Sequence, residues 1–476
     1  MNATPGTAAI ATSDPRATEA GAAVLRDGGT AMDAAVAAAL VLFVVEPQSC
    51  GPGGDGFLIH VGTDGVPVAI DGSGAIPLGL TADALAKAGF DNVPARGAIT
   101  ATVPGATSLF EYGLEHFGSR TMAELSAAAI AFATDGFEVH ATLATAAARA
   151  AAEIGSDPVL GPLYAPGGTP VAEGAVITNP ALGACLAEIG RSGSHALHRG
   201  ALGEAVVARL LAGGGVLAMD DFDLHQPTPI TAASTVFRGS TVWELPAPTQ
   251  GPAVLFALAR MEAAGIGLDD VEAIIDSVRA GMNAAGFDLS KIGVRPSPAR
   301  GDTTYIAAID PAGRAASLIT SVFGDFGSHF GIPELGGAIG NRATMLRALN
   351  LAPTPGAKPP HTTIPAAITR DGRLQYVLGV AGGFMQPQAQ VQVIAQMLER
   401  GLEPQDAIDQ PRFKLLFGGA LSLEAGHPLC AAMPEAAARP AGPEGYGAAQ
   451  VAGVLADGTV AAGADHRRGG SAQLVG

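Results

Sequence analysis

Cysteine is scarce in this 476-residue chain: Cys50, Cys185 and Cys430 are all there is, odd in number and far apart. That excludes a disulfide framework and thiolate metal spacing, and leaves small buried hydrophobes or free thiols of a reducing compartment. Aromatic residues make up only 5% although 48% of the chain is hydrophobic, so the core is built from Ala, Val, Leu and Ile. The longest apolar run, Ala34 to Val45, falls short of the ~20 residues that span a bilayer. Met1-Asn2-Ala3-Thr4-Pro5 lacks the basic and apolar regions of a secretory signal, so a cytoplasmic protein is expected. Basic residues are few, 27 Lys and Arg against 44 Asp and Glu, and the formal charge of −17 would repel phosphates. Nucleic acid and anionic membranes are therefore not expected as partners. Among ten histidines, His195 and His198 are the closest-set pair, with no third ligand nearby, so neither a metal nor another cofactor is expected. There is no GxSxG elbow and no CxxC pair. Glycine, in contrast, is abundant at 65 residues, which implies tight turns and close backbone approaches.

The apolar pattern organises the chain. Ala8–Thr12 predicts a strand, followed by a helix that Asp14-Pro15 opens and Gly28-Gly29 stops. Thr30 caps a second helix, Ala31 to about Val45, apolar nearly all round and so expected to be buried. Gly51-Pro52-Gly53-Gly54-Asp55-Gly56 matches the GxGxxG pattern. Its context is reversed, with a helix before it and the strand Phe57–Val61 after it, which argues against a dinucleotide loop. A turn at Gly65–Pro67 and the strand Val68–Asp71 complete a hairpin. From about Thr107 to Leu211 the periodicity is helical, with breaks at Asp135-Gly136 and Pro158. Beyond Thr303 strands dominate: Thr304–Ile309, Arg314–Val322, Ala366–Thr369 and Tyr376–Val380. A helix Gln388–Arg400 follows, with Pro387 in its first turn and Gly401 closing it. Helices and antiparallel strands in blocks fit an α+β body layered helix, sheet, sheet, helix.

Thr303 is the strongest chemical signal. In Arg300-Gly301-Asp302-Thr303-Thr304-Tyr305 a Gly-Asp pair runs into a threonine that opens an apolar alternation. Were the bond before it cut, a hydroxyl and a free α-amine would share one residue. That amine titrates near pH ~8 and so can take the hydroxyl proton near neutrality. Acyl transfer also needs donors for an oxyanion. Gly379-Val380-Ala381-Gly382-Gly383, between a strand and the Gln388 helix, supplies them or else forms an ordinary glycine turn. Ser321, at the end of the next hairpin strand, returns beside Thr303 to hold its oxygen or is a solvated strand end. Phe323–Ser328 reads as a mobile loop bordering a pocket. His361, after Pro359-Pro360, bonds a substrate carbonyl or is structural.

Taken in order along nearly the whole chain, the motifs resemble the γ-glutamyltranspeptidase family. Its N-terminal signature is similar to Ala17-Thr18-Glu19-Ala20-Gly21, Asp27 to Ala35, and Glu46-Pro47 with Gly53-Gly54-Asp55-Gly56-Phe57. Val103-Pro104-Gly105, Thr134-Asp135-Gly136-Phe137 and Pro246 to Gly251 look like its middle motifs. Asp302-Thr303-Thr304 with Asp310-Pro311-Ala312-Gly313 looks like the processing site and first hairpin, and Gln410-Pro411-Arg412-Phe413 like a late motif. The resemblance implies a four-layer αββα N-terminal-nucleophile (Ntn) hydrolase sandwich with antiparallel central sheets. It implies a proenzyme that cuts itself before Thr303 into segments 1–302 and 303–476, a heterodimer of one chain in which a higher oligomer is also open. It further implies Thr303 as nucleophile, Ser321 as its supporting hydroxyl, and the Gly382 and Gly383 amides as oxyanion donors.

Departures from the family pattern bear on substrate. In Asp71-Gly72-Ser73-Gly74, Ser73 stands where members acting on γ-glutamyl compounds usually carry a carboxylate-binding arginine. Losing such a bidentate bond costs a few kcal/mol. Tyr305 and Phe323 replace a common His and Asn, and Pro359-Pro360-His361-Thr362 replaces a serine-rich segment. The chain looks more like the divergent branch that includes an oxamate amidohydrolase. Arg342, in Gly340-Asn341-Arg342, takes over the carboxylate or is a surface residue. Ser73, Phe323, His361 and Arg342 are the candidate substrate-binding residues. The expected substrate is a small acidic or neutral amide; the alternatives are a true γ-glutamyl transferase or hydrolase, and an uncleaved, non-catalytic binding homologue.

Overall fold

Local capping sets the first two helices. Asp14 accepts the Arg16 N–H at 2.8 Å and Pro15 takes the first turn of helix Pro15–Arg26. Thr30 and Asp33 exchange hydrogen bonds of 2.8 and 3.1 Å in a capping box that opens helix Ala31–Val45. Every residue of that helix is buried, as its all-round apolar sequence requires. The computed structural model describes residues 7–292, 301–441 and 445–476, Gly301 and Asp302 by backbone alone; Arg300 and the 1–6 stretch of the signal reading lie outside the described residues.

The strands of the two main sheets are β1 (Ala8–Thr12), β2 (Asp55–Val61), β3 (Pro67–Asp71), β4 (Thr228–Ile230), β5 (Ala233–Phe237), β6 (Ser240–Glu244) and β7 (Gly301–Ile309). They continue with β8 (Ala315–Gly324), β9 (Ala366–Arg370), β10 (Arg373–Ala381), β11 (Ala448–Val454), β12 (Val460–Ala464) and β13 (Ser471–Val475). One sheet runs β13-β1-β7-β8-β2-β3-β4 and the other β12-β11-β10-β9-β6-β5, all pairs antiparallel. Alternation sorts the side chains into three apolar layers. Phe57, Tyr305, Ile319 and Val377 meet between the sheets. Leu58, Ile306 and Leu318 face helix Ala31–Val45 and its neighbours. Val242, Ile368 and Leu378 face helices Gly251–Ala264 and Gln386–Arg400. The body is thus four-layered, helix–sheet–sheet–helix.

The predicted strands at 304–309, 366–369 and 376–380 are present with slightly wider bounds, and that at 314–322 is shifted to 315–324. The GxGxxG run leads into β2 with helix Ala31–Val45 before it, the reversed context read from sequence. The long helical block is interrupted by the short ladder Phe137–Glu138 with Val176–Ile177. Strands β11 to β13, which carry weak alternation, complete the sheets: β11 pairs with β10, β12 with β11 and β13 with β1. Both sheets take strands from either side of position 303. Among the described residues no helix is long and apolar enough to cross a membrane.

Candidate active site

Register brings a row of polar side chains to one end of the seven-stranded sheet. Thr303 lies near the start of β7, Ser321 near the end of β8 and Asp55 at the start of β2, with Ser321 and Asp55 directly paired. Their positions share the phase of Tyr305, Ile319 and Phe57, so the row faces the space between the sheets. Thr303 is 2% exposed, and Gln386 Nε2 donates to its Oγ at 3.4 Å. Gln386 is in turn oriented by the Ile364 N–H on its Oε1 at 3.1 Å. Opposite Thr303 the ladder slips: Thr304 pairs with Thr320 but Asp302 with Phe323, so Ser321 and Val322 together face one residue. This bulge turns Phe323 to φ 75°, a left-handed conformation that a bulky side chain adopts at a cost of about 1 kcal/mol or more. Ser321 Oγ accepts the Phe323 N–H at 2.8 Å. Gly54 sits at a close crossing, where a Cβ would stand 2.6 Å from the Ser321 carbonyl oxygen.

A buried charged group adjoins this row. Arg342 is 1% exposed, its guanidinium lies 4.7 Å above the Phe323 ring, and its Nη2 donates to Asp55 Oδ1 at 3.0 Å. Among the described residues its Nε and Nη1 have no acceptor, nor does Asp55 Oδ2 have a donor. The surface alternative for Arg342 is thereby removed. Buried guanidinium N–H groups without partners are costly, and Nε or Nη1 can pair with the second hydrogen of Nη2 in a planar fork that matches a carboxylate. His361 Nε2 is 3.6 Å from Asp55 Oδ2, beyond hydrogen-bond reach, while its Nδ1 is 3.2 Å from Thr363 Oγ. Burial, and then the charges of Arg342 and Lys358, push the His361 pKa well below the usual histidine range, so the ring is neutral at pH 7.

On the far side of Asp55, the Ser73 N–H and Oγ both donate to Asp71 Oδ1, at 2.7 and 2.6 Å. Lys358 donates to the Ser73 carbonyl and lies 3.6 Å from Asp71 Oδ1. His198 stacks on His225, 5.1 Å between centroids, rather than joining His195; its ring nitrogens lie 2.7 and 3.1 Å from the Pro104 and Ser194 carbonyl oxygens. Gly382 and Gly383, with φ of 136° and 55°, form the turn that joins β10 to helix Gln386–Arg400 and packs against β7. The segment 323–328 differs from the mobile loop expected from sequence. It is buried throughout, held by Phe326 N–H to Gln48 O at 3.0 Å, Ser328 N–H to Ile339 O at 2.8 Å, and an Arg149–Asp325 ion pair. Sequence reasoning did not single out Asp55, Gln386 or Lys358. Asp55 stands in the glycine run and Gln386 opens a helix after the glycine pair, which are usable signals; Lys358 carries none.

Burial depresses other histidines too, three of them strongly: His60 to about 4, His225 to about 3 and His329 to about 3. Unfolded, each would bind a proton near pH ~6.5; folded, it does so only at a lower pH. Their contribution to stability is present above pH ~6.5 and is lost as pH falls toward the folded values. With three such groups the loss approaches roughly 4 kcal/mol per pH unit. Thermal unfolding should show a Tm on the order of 5 °C lower at pH 5 than at pH 7; a higher Tm at pH 5 contradicts this.

Comparison with known proteins gives one consistent result. The γ-glutamyltranspeptidase family model matches residues 17–284 and 273–475. An oxamate amidohydrolase proenzyme of Klebsiella pneumoniae is 32% identical over 448 residues, 84% of this chain and 83% of that protein. The glutathione hydrolase-like YwrD proenzyme of Bacillus subtilis is 29% identical, covering 83% of each chain. Among solved structures, a cephalosporin acylase from Bacillus halodurans superposes with a TM-score of 0.87 at 28% identity, over 98% of this chain and 96% of that one.

Proposed function

Because the chain belongs to the γ-glutamyltranspeptidase family, we propose that it is a self-processing amidohydrolase whose nucleophile is Thr303 and whose substrate is a small amide bearing a carboxylate. In the precursor, Thr303 Oγ attacks the Asp302 carbonyl carbon, the peptide C–N bond breaks as the nitrogen takes a proton, and an ester links the two segments. Water then hydrolyses the ester, leaving segments 1–302 and 303–476 in one body with a free α-amine on Thr303. The bulge opposite this bond and the strained Phe323 support the assignment, because they concentrate backbone distortion where the acyl shift has to occur.

In the mature enzyme the α-amine removes the Thr303 hydroxyl proton as Oγ adds to the substrate carbonyl. The Gly382 and Gly383 amides are assigned to the developing oxyanion, and Gln386 and Ser321 to holding Oγ. The C–N bond breaks with release of ammonia, and water resolves the acyl-threonine to the free acid. A competing amine would give transfer instead. His361, neutral at pH 7, is assigned to hydrogen-bond the substrate carbonyl. Ser73 spends its hydroxyl proton on Asp71, so toward substrate its oxygen is left only as an acceptor.

The observation that carries the substrate reading is Arg342, buried beside the Thr303 row with two guanidinium nitrogens that lack acceptors among the described residues. A carboxylate one or two bonds from the scissile carbonyl fits that fork, which favours oxamate-like amides. The test is ammonia release from oxamate against p-nitroaniline release from a γ-glutamyl anilide by the cleaved protein. Oxamate is expected to be turned over with kcat/KM at least ~100-fold above the anilide, the effect of one lost bidentate bond at position 73. Brisk anilide turnover with oxamate inert overturns the reading.

A further inference from the structure

We propose that Gln386 is a catalytic residue of the ester-breaking step and that Gln390 is the residue that positions it. The Gln386 amide donates to Thr303 Oγ as this oxygen leaves the acyl carbon, once when the precursor ester is hydrolysed and again in every turnover. This role rests on Thr303 as the nucleophile and deepens that reading, because it gives the departing oxygen a donor of its own.

The two ends of a glutamine amide are nearly alike in shape, and only their partners tell oxygen from nitrogen. Here the partner decides. The Ile364 N–H can only donate, and it lies 3.1 Å from Oε1. The nitrogen end is therefore the one turned to Thr303 Oγ, at 3.4 Å. Turning the amide over would set two donors against each other and strand a buried N–H.

Ile364 is itself held. Gln390, one helical turn beyond Gln386 and on the same face, donates from Nε2 to the Ile364 carbonyl at 2.7 Å. Both polar groups of one backbone residue are thus gripped by a pair of glutamines that are each 0% exposed. The helix repeats the device toward another segment. Gln388 Oε1 accepts the Leu415 N–H at 2.7 Å, and Gln392 Oε1 accepts the Phe413 N–H at 3.0 Å. A helix anchored through four side-chain amides resists rotation about its axis, so the Gln386 amide is presented in one orientation. The Gly382–Gly383 turn belongs to the same unit, closed by the Met385 N–H on the Gly382 carbonyl at 2.9 Å.

A donor on Oγ favours one half of the reaction. Acylation draws charge off this oxygen as it bonds to the carbonyl carbon. In ester hydrolysis water adds to the acyl carbon and passes one proton to the α-amine. The C–Oγ bond then breaks, and Oγ keeps the electron pair and takes that proton back. Negative charge gathers on Oγ as the bond stretches, and a fixed N–H stabilises it without giving up its own proton. The 3.4 Å contact is long for a neutral hydroxyl and tightens as that charge develops.

The experiment compares wild type with Q386M, Q390M and Q386E in two assays. Freshly made precursor is treated with neutral hydroxylamine under denaturing conditions, which splits an ester at Thr303 and leaves the peptide bond intact. With saturating oxamate, acid quench and mass spectrometry give the ratio of acylated to free Thr303. In Q386M this ratio should rise at least about tenfold, and hydroxylamine-sensitive precursor should accumulate. Q390M should shift both in the same direction by a smaller factor, since Gln386 keeps its Ile364 N–H contact. A merely structural role slows both half-reactions alike, so an unchanged ratio overturns the proposal. Q386E should match Q386M while ionised and move toward wild type as falling pH gives its carboxyl a proton to donate. A Q386E that works better ionised overturns the donor assignment. If wild type turns over no oxamate, the substrate reading fails and the hydroxylamine assay alone decides on Gln386. If wild type is never cut before residue 303, the Thr303 reading fails and this proposal falls with it.

Discussion

Replacing Thr303 by alanine is expected to leave the chain as one polypeptide on a denaturing gel and to lower amide hydrolysis by at least ~10⁴-fold, because a single side chain serves both reactions. The serine variant keeps a hydroxyl and should still yield two fragments, with the smaller beginning at residue 303. The hydroxyl is 2% exposed, within 3.4 Å of Gln386 Nε2, so removing it deletes a reactive group without opening a large cavity. The variant should therefore fold with wild-type circular dichroism. N-terminal sequencing of the small fragment checks the position directly. Two fragments from the alanine variant would mean that another residue cuts the chain.

The second large effect is expected at Arg342. Its methionine variant loses two charge-assisted bonds to a substrate carboxylate, about 3–5 kcal/mol together, so kcat/KM for oxamate should fall roughly 10²- to 10⁴-fold. Breaking the buried Arg342–Asp55 pair also leaves a carboxylate uncompensated, which by itself costs about 3–5 kcal/mol of stability. Comparing the single variant with R342M/D55N separates the two, since the double variant removes the stranded charge. Oxamide, a neutral amide of the same size, provides the control. The ratio of oxamate to oxamide turnover should collapse in both variants, whereas an equal loss on both amides would show that Arg342 only holds the fold.

Much of the architecture was legible in the chain because short-range physics decides it. Thr30 and Asp33 cap a helix wherever they stand three apart before an apolar run, and the alternation after Thr303 can only be half of a strand ladder. The ordered motifs were sufficient to point to the family, its fold and the nucleophile. The C-terminal strands were harder: Ala448–Val454 and Val460–Ala464 are rich in alanine and glycine, and pairing with Arg373–Ala381 rather than propensity makes them strands. The segment after Phe323 misled in the opposite direction. Its glycines suggest an exposed loop, but Arg149, far away in sequence, neutralises Asp325 and allows the turn to be buried.

The sequence by itself determined the nucleophile candidate, the layered class and the absence of an arginine at position 73, since each is a property of residues close together in the chain. Only the tertiary structure decided which remote cations lie along the row of side chains near that position. Arg342 meets Asp55 and Lys358 meets Ser73 across 287 and 285 positions of chain. Electrostatic recognition depends on distance in space, and no local pattern encodes which remote cation strand pairing will carry to one end of a sheet.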